Sequence, residues 1–148
     1  LMINEMGGKE NAKAWLDERL SKKQVVWGMG HREYSTKDPR ANILTGMVKD
    51  LFKEQSGKVS EMFETAMALE EACEERLSKK GVYANVDFYS GILYKEIGIP
   101  VDLFTSLFAI SRTSGWLAHW IEQVGNNKIF RPTQSYKGYG NREYSENS

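Results

Sequence analysis

Apolar positions recur along this chain at three- and four-residue steps, in runs separated by glycines. Leu1 to Met6 is apolar at helical spacing and stops at Gly7-Gly8, which reads as the last turns of a helix under a glycine cap. A domain rarely begins with the end of a helix, so the pattern predicts a longer polypeptide ahead of Leu1. From Lys9 to Lys23, Ala12, Trp15, Leu16 and Leu20 stand between charged positions as in an amphipathic helix. Gln24 to Trp27, β-branched and aromatic, is the one strand-like strip, and it turns sharply at Gly28 and Gly30.

The next helix is marked at both ends. Asp38 supplies an N-cap and Pro39 a first-turn proline. Ile43, Leu44, Met47, Val48, Leu51 and Phe52 form its apolar stripe, and Ser56-Gly57 ends it. Ser60 caps a third helix, with Met62, Phe63, Ala66, Met67, Leu69, Cys73 and Leu77 predicted inward and Glu70, Glu71, Glu74 and Glu75 toward water, up to Gly81. Asn85 caps a fourth carrying Val86, Phe88, Tyr89, Ile92 and Leu93, interrupted by Gly98 and Pro100. Val101 to Ile110 is nearly continuous apolar sequence, expected to be buried on most sides. Ser111 to Val124 then gives one more helix, with Trp116, Leu117, Trp120 and Ile121 as its apolar positions. From Gly125 the sequence turns polar and rich in Gly, Tyr and Asn, the composition of an extended arm. With no internal repeat, the class is all-α, with glycine-marked turns between helices.

Composition narrows the functions. A chain of 148 residues, 41% of them hydrophobic, can bury one ordinary core without staples. Lys plus Arg and Asp plus Glu both number 20, so the net charge is zero and no global field draws the protein to nucleic acid or an anionic membrane. A single cysteine, Cys73, cannot form an internal disulfide, and no stretch resembles a signal peptide or a membrane span. The expected setting is soluble and cytoplasmic.

Candidate chemistry sits at the turns. In GMGHREYSTKDPR, Gly28 and Gly30 let a backbone approach a ligand, and His31 beyond the turn can donate a hydrogen bond to a carbonyl oxygen. Arg40, in the first turn of a helix, presents a planar fork to a carboxylate near the positive helix end. Histidine with arginine suits a keto acid, although the same spacing also describes a solvated histidine and a surface arginine. Asp87 opens a helix in aromatic company, where burial would raise its pKa and the helix end would lower it; it is either a base or simply a cap. Arg40, Arg112 and Arg131 suffice to surround a small polycarboxylate, but periodicity does not bring them together. His119 and Cys73 read as packing residues, since neither has a second metal ligand at helical spacing. The glycines match neither a dinucleotide fingerprint nor a phosphate loop.

Taken together, VVWGMGHREYSTKDPRA, YANVDFYSGILYKEIGIP, LFAISRTSGWLAHWIEQ and IFRPTQSYKGY resemble segments of citrate synthases in order and approximate spacing, over essentially the whole chain. The fourth helix and the tail look like those of the bacterial and archaeal dimeric type. The resemblance implies a helical small domain over residues 1–110, and over 111–148 a carboxyl-terminal helix and arm that pack on the large domain in relatives. It implies condensation of acetyl-coenzyme A with oxaloacetate, with His31 polarising the ketone and Asp87 removing a proton from the acetyl methyl group. Arg40, Arg112 and Arg131 match the arginines that bind carboxylates of oxaloacetate and citrate. Val25, Val26, Gly28, Met29 and Gly30 match the strip whose backbone cradles coenzyme A.

The coenzyme A thioester enters as substrate, with no tightly bound cofactor and no metal expected, and the expected assembly is a homodimer. The family's enol-stabilising histidine stands in an LHGGAN-like loop ahead of the small domain, so the resemblance also implies a missing amino-terminal portion. Two alternatives remain: a 2-methylcitrate synthase using propionyl-coenzyme A, and an isolated non-catalytic fragment with weak affinity for coenzyme A.

Overall fold

The computed structural model describes residues 2–55, 59–129 and 135–141. It is helical, with no strand among the described residues. The helices are α1 (Ala12–Ser21), α2 (Pro39–Gln55), α3 (Glu61–Leu77), α4 (Val86–Glu96) and α5 (Phe104–Val124), with short 3-10 turns at Met2–Glu5, Lys9–Asn11, Ser78–Lys80 and Val101–Leu103. The chain divides into two compact units, Leu1–Leu107 and Phe108–Ser148.

In the first unit α2 packs on α4 and α1 on α3. Leu16, Val48, Phe63, Leu69, Tyr89 and Ile92 are the large, fully buried apolar and aromatic side chains between them. Phe63 is the hub, with its ring centroid 5.9 Å from that of Phe52 and 6.1 Å from that of Tyr89. The caps are those expected from local chemistry. The Ser60 hydroxyl accepts from the Phe63 N–H at 3.1 Å and the Asn85 side chain accepts from the Asp87 N–H at 3.0 Å. Gly81 follows the Ser78–Lys80 turn in the left-handed conformation.

Several expectations are corrected. The helical stretch read before Gly7 is a single 3-10 turn, Met2–Glu5, with Ile3 and Met6 buried and Gly7 beyond it at φ +70°. The helix read from Lys9 starts as a 3-10 turn and is α-helical only over Ala12–Ser21. Gln24 to Trp27 forms no strand. The strip reaches a partner at one antiparallel bridge, Met29 to Ala84, because glycine turns leave no length for a ladder.

On α2 the buried positions are Ala41, Val48 and Phe52, and Ile43 and Met47 are exposed, so the apolar stripe is wider than the buried face. Glu70 is buried, not turned to water. Val101 to Ile110 is not enclosed; Ile110 is 69% exposed. The helix expected to start at Ser111 begins at Phe104 and runs unbroken to Val124. Within this chain Trp116, Leu117, Trp120 and Ile121 are exposed. Ser56 and Gly57, read as the end of α2, lie outside the described residues. The described residues from 125 onward carry neither helix nor strand.

Candidate active site

Two stretches distant in sequence are stapled together to make the site. The Gly30 N–H donates to the Tyr83 carbonyl at 2.7 Å, and the Asn85 N–H donates to the Gly28 carbonyl at 2.9 Å. Asn85 works with both ends of its amide: Nδ2 donates to the Gly30 carbonyl at 2.8 Å while Oδ1 caps α4. The turn carrying His31 is thereby tied to the helix start carrying Asp87. Gly28 sits at φ +83°, and a Cβ there would come within 2.9 Å of Phe88 Cβ and 3.0 Å of its Cα. The close approach of this turn to α4 thus requires glycine.

His31 is exposed and stacks on Tyr34, with ring centroids 4.4 Å apart. Its Nδ1 accepts from the backbone N–H groups of Glu33 at 3.0 Å and Tyr34 at 3.2 Å. A ring nitrogen that accepts hydrogen bonds from two N–H groups carries no proton of its own, so the ring proton is on Nε2, which becomes the donor available to a ligand.

Arg40 is held from behind. Its Nε and one terminal nitrogen donate to the two oxygens of Asp38 at 3.0 and 2.8 Å, and its backbone N–H adds a bond at 2.9 Å. Asp38 is buried while the arginine reaches the surface, so the fork is oriented without being covered. Asp38 pairing holds the guanidinium more firmly protonated than usual; the nearby Tyr34 and Asp87 add to this and burial opposes it. In turn the Arg40 side chain holds the Asp38 carboxyl below its ordinary range, against a burial that would raise it; the Arg40 N–H and the proximity of His31 act in the same direction as the side chain.

A depressed pKa stabilises the fold above the unfolded value of about 4 and loses that contribution as pH falls through the folded value. Acid unfolding of Asp38→Asn, followed by circular dichroism, is expected to depend less steeply on pH below about 4 than the wild type.

Asp87 is exposed in the first turn of α4, on the wall of a cavity of about 180 Å³. The other walls are apolar, from Met2, Ile3, Trp27, Phe88 and Ile92. A carboxylate at the edge of an apolar cleft can take a proton from a weak carbon acid without water competing on every side. Trp27 went unread as a site residue although it lies within the strip expected to cradle coenzyme A, between Val26 and Gly28. Within that strip Val26 is buried, so what it offers a ligand is backbone, while Val25 is exposed.

His31, Arg40 and Asp87 are therefore brought into one neighbourhood. Arg112 belongs to the second unit, where its guanidinium carbon lies 5.7 Å from the Phe108 ring centroid. Arg131 lies outside the described residues. Cys73 is buried, and burial, with Glu70 and Glu74 nearby, pushes its thiol up to about 12. His119 is exposed beside Glu122, 3.6 Å away. Among the described residues no group of His, Cys, Asp and Glu side chains is arranged to hold a metal ion, and no helix is long and apolar enough to cross a membrane.

The family profile described as citrate synthase, C-terminal domain, matches residues 1–133. The chain belongs to the citrate synthase family. It is 49% identical over 143 residues to a citrate synthase of Acidithiobacillus ferridurans, covering 97% of this chain and 37% of that protein. Solved citrate synthases have the same fold. The Thermotoga maritima enzyme superposes with a TM-score of 0.76 at 39% identity, over 98% of this chain and 39% of its own. The Thermoplasma acidophilum citrate synthase, in a ternary complex with carboxymethyl coenzyme A and oxaloacetate, gives a TM-score of 0.78 at 35% identity, over 97% of this chain and 39% of its own. The chain thus spans well under half the length of these relatives.

Proposed function

We propose that the chain is the carboxyl-terminal part of a citrate-forming enzyme that condenses acetyl-coenzyme A with oxaloacetate. The observation that supports the reading is the stapling of Gly28–Gly30 to Asn85, which ties the turn carrying His31 to the helix start carrying Asp87. The thioester-analogue complex of the Thermoplasma acidophilum relative supports the choice of substrates.

The chemistry assigns each group a task. Asp87 takes a proton from the thioester methyl group, which needs a carboxylate already in place because the methyl is a weak acid. The resulting enol carbon attacks the ketone carbon of oxaloacetate, and His31 Nε2–H supplies the proton that the ketone oxygen acquires as the carbon–carbon bond forms. Arg40 binds a carboxylate of oxaloacetate, Arg112 and Arg131 are carboxylate ligands by their likeness to the family's arginines, and the backbone of Val25 to Gly30 holds coenzyme A. Water then cleaves the citryl thioester to citrate and the free thiol.

The donor for the enol oxygen is a histidine of the preceding polypeptide. The working enzyme is a cytoplasmic homodimer, with residues 1–110 as its small domain and 111–148 packing on the large one.

Thiol release from acetyl-coenzyme A in the presence of oxaloacetate tests this in two preparations. The 148-residue chain alone is expected to release none above background, and the complete polypeptide that contains it is expected to turn over. Measurable turnover by the chain alone would refute the need for a preceding histidine. A strong preference of the complete protein for propionyl-coenzyme A would replace citrate by 2-methylcitrate as product.

A further inference from the structure

We infer that Glu70, on α3, is a positioning residue of this site: its carboxylate fixes where Asp87 and Arg40 stand relative to each other. The inference rests on the condensation reading above. Glu70 is buried, where a carboxylate must be partnered to be tolerated, and its two oxygens serve different elements.

Oε2 accepts a hydrogen bond from the Tyr89 hydroxyl. Tyr89 is fully buried and edge-on to Phe88 at 5.1 Å between centroids. Tyr89 stands two residues after Asp87 on α4, so anchoring its ring and hydroxyl fixes the rotation of the turn that presents the carboxylate.

The other oxygen, Oε1, has no hydrogen-bond donor, but the Lys37 ammonium lies 2.6 Å from it as a charge contact. The same ammonium is 5.9 Å from the centroid of the Tyr89 ring. Lys37 immediately precedes Asp38, the residue that clamps Arg40. One carboxylate therefore joins the helix of the base to the loop of the substrate-binding arginine. An apolar side chain would fill the same space without the desolvation cost, but it could not hold a hydroxyl and an ammonium at a set separation.

The test is steady-state kinetics of the complete enzyme with ordinary and methyl-deuterated acetyl-coenzyme A. Glu70→Ala is expected to lower kcat about tenfold to a hundredfold, the effect of displacing a reacting group by about an ångström. The deuterium isotope effect is expected to rise, because proton removal by a displaced Asp87 becomes the slow step.

The two arms should separate. Tyr89→Phe raises the isotope effect and leaves KM for oxaloacetate near wild type. Lys37→Met raises KM for oxaloacetate and leaves the isotope effect unchanged. Glu70→Gln, which keeps an acceptor for Tyr89, recovers most of kcat but not KM.

A residue that merely stabilised the fold would lower the active fraction in every variant without moving either the isotope effect or KM. If the wild type condenses and the folded variants keep its isotope effect and KM, the inference is overturned while the condensation reading stands. A wild type that condenses nothing overturns both.

Discussion

Replacing Asp87 by alanine is expected to lower condensation by about a hundredfold to ten-thousandfold, the range for losing a placed general base. Oxaloacetate affinity should hardly change. The reason lies in how Arg40 is held: its principal partner is the buried Asp38, which stays, and Asp87 is a lesser influence on it. The α4 cap survives as well, because Asn85 bonds the backbone N–H of residue 87 and not its side chain. Thiol release together with titration of oxaloacetate into the complete enzyme separates the outcomes. Binding lost in parallel with turnover would make Asp87 a structural residue and remove it from the reaction.

The second large effect is expected at Gly28. Alanine there must adopt φ near +83° and place its Cβ against the backbone of Phe88, not merely against a side-chain tip that can swing away. Left-handed backbone costs a non-glycine residue about 1–3 kcal/mol, and overpacking against an unyielding neighbour adds a similar amount. The Gly28→Ala variant should therefore unfold at markedly lower denaturant concentration. Whatever remains folded should have the turn pushed off α4, weakening the Asn85 bonds and separating His31 from Asp87. Urea unfolding read by tryptophan fluorescence measures the first effect, and kcat of the folded fraction the second. Wild-type values of both would contradict the close approach on which the site depends.

The parts of the fold that could be read from the sequence are those decided within a few residues. Ser60 and Asn85 announce helix starts because capping is a contact between a side chain and an N–H two or three positions on. Glu70 was misread for the opposite reason. It follows Phe63 and Ala66 and precedes Cys73 and Leu77 at helical spacing, so periodicity alone would turn it inward; its charge argued for water. What reverses that argument is Tyr89, on another helix, and Lys37, in a loop on the far side in sequence.

The exposure of α5 has a similar origin. An apolar run signals that something covers it, not that its own chain does, and Trp116 and Trp120 remain exposed in this chain. At the site, the candidates His31, Arg40 and Asp87 were recognisable as residue types at glycine turns and helix starts. Their meeting depends on Asn85 reaching Gly30, which no local pattern encodes. The tie between Asp38 and Arg40 had a visible sign in the spacing Asp-Pro-Arg, where an N-cap carboxylate lies within reach of a side chain two residues along.

The bond from Asn85 to Gly30 spans 55 positions of chain. The bonds of this junction run from Gly28 and Gly30 to Tyr83 and Asn85, so the turn and the start of α4 are held together as one unit. A ligand that needs the His31 turn and the start of α4 held together binds only when this junction is closed. Occupancy by such a ligand and protection of the junction from opening would thus be linked through one pair of backbone turns.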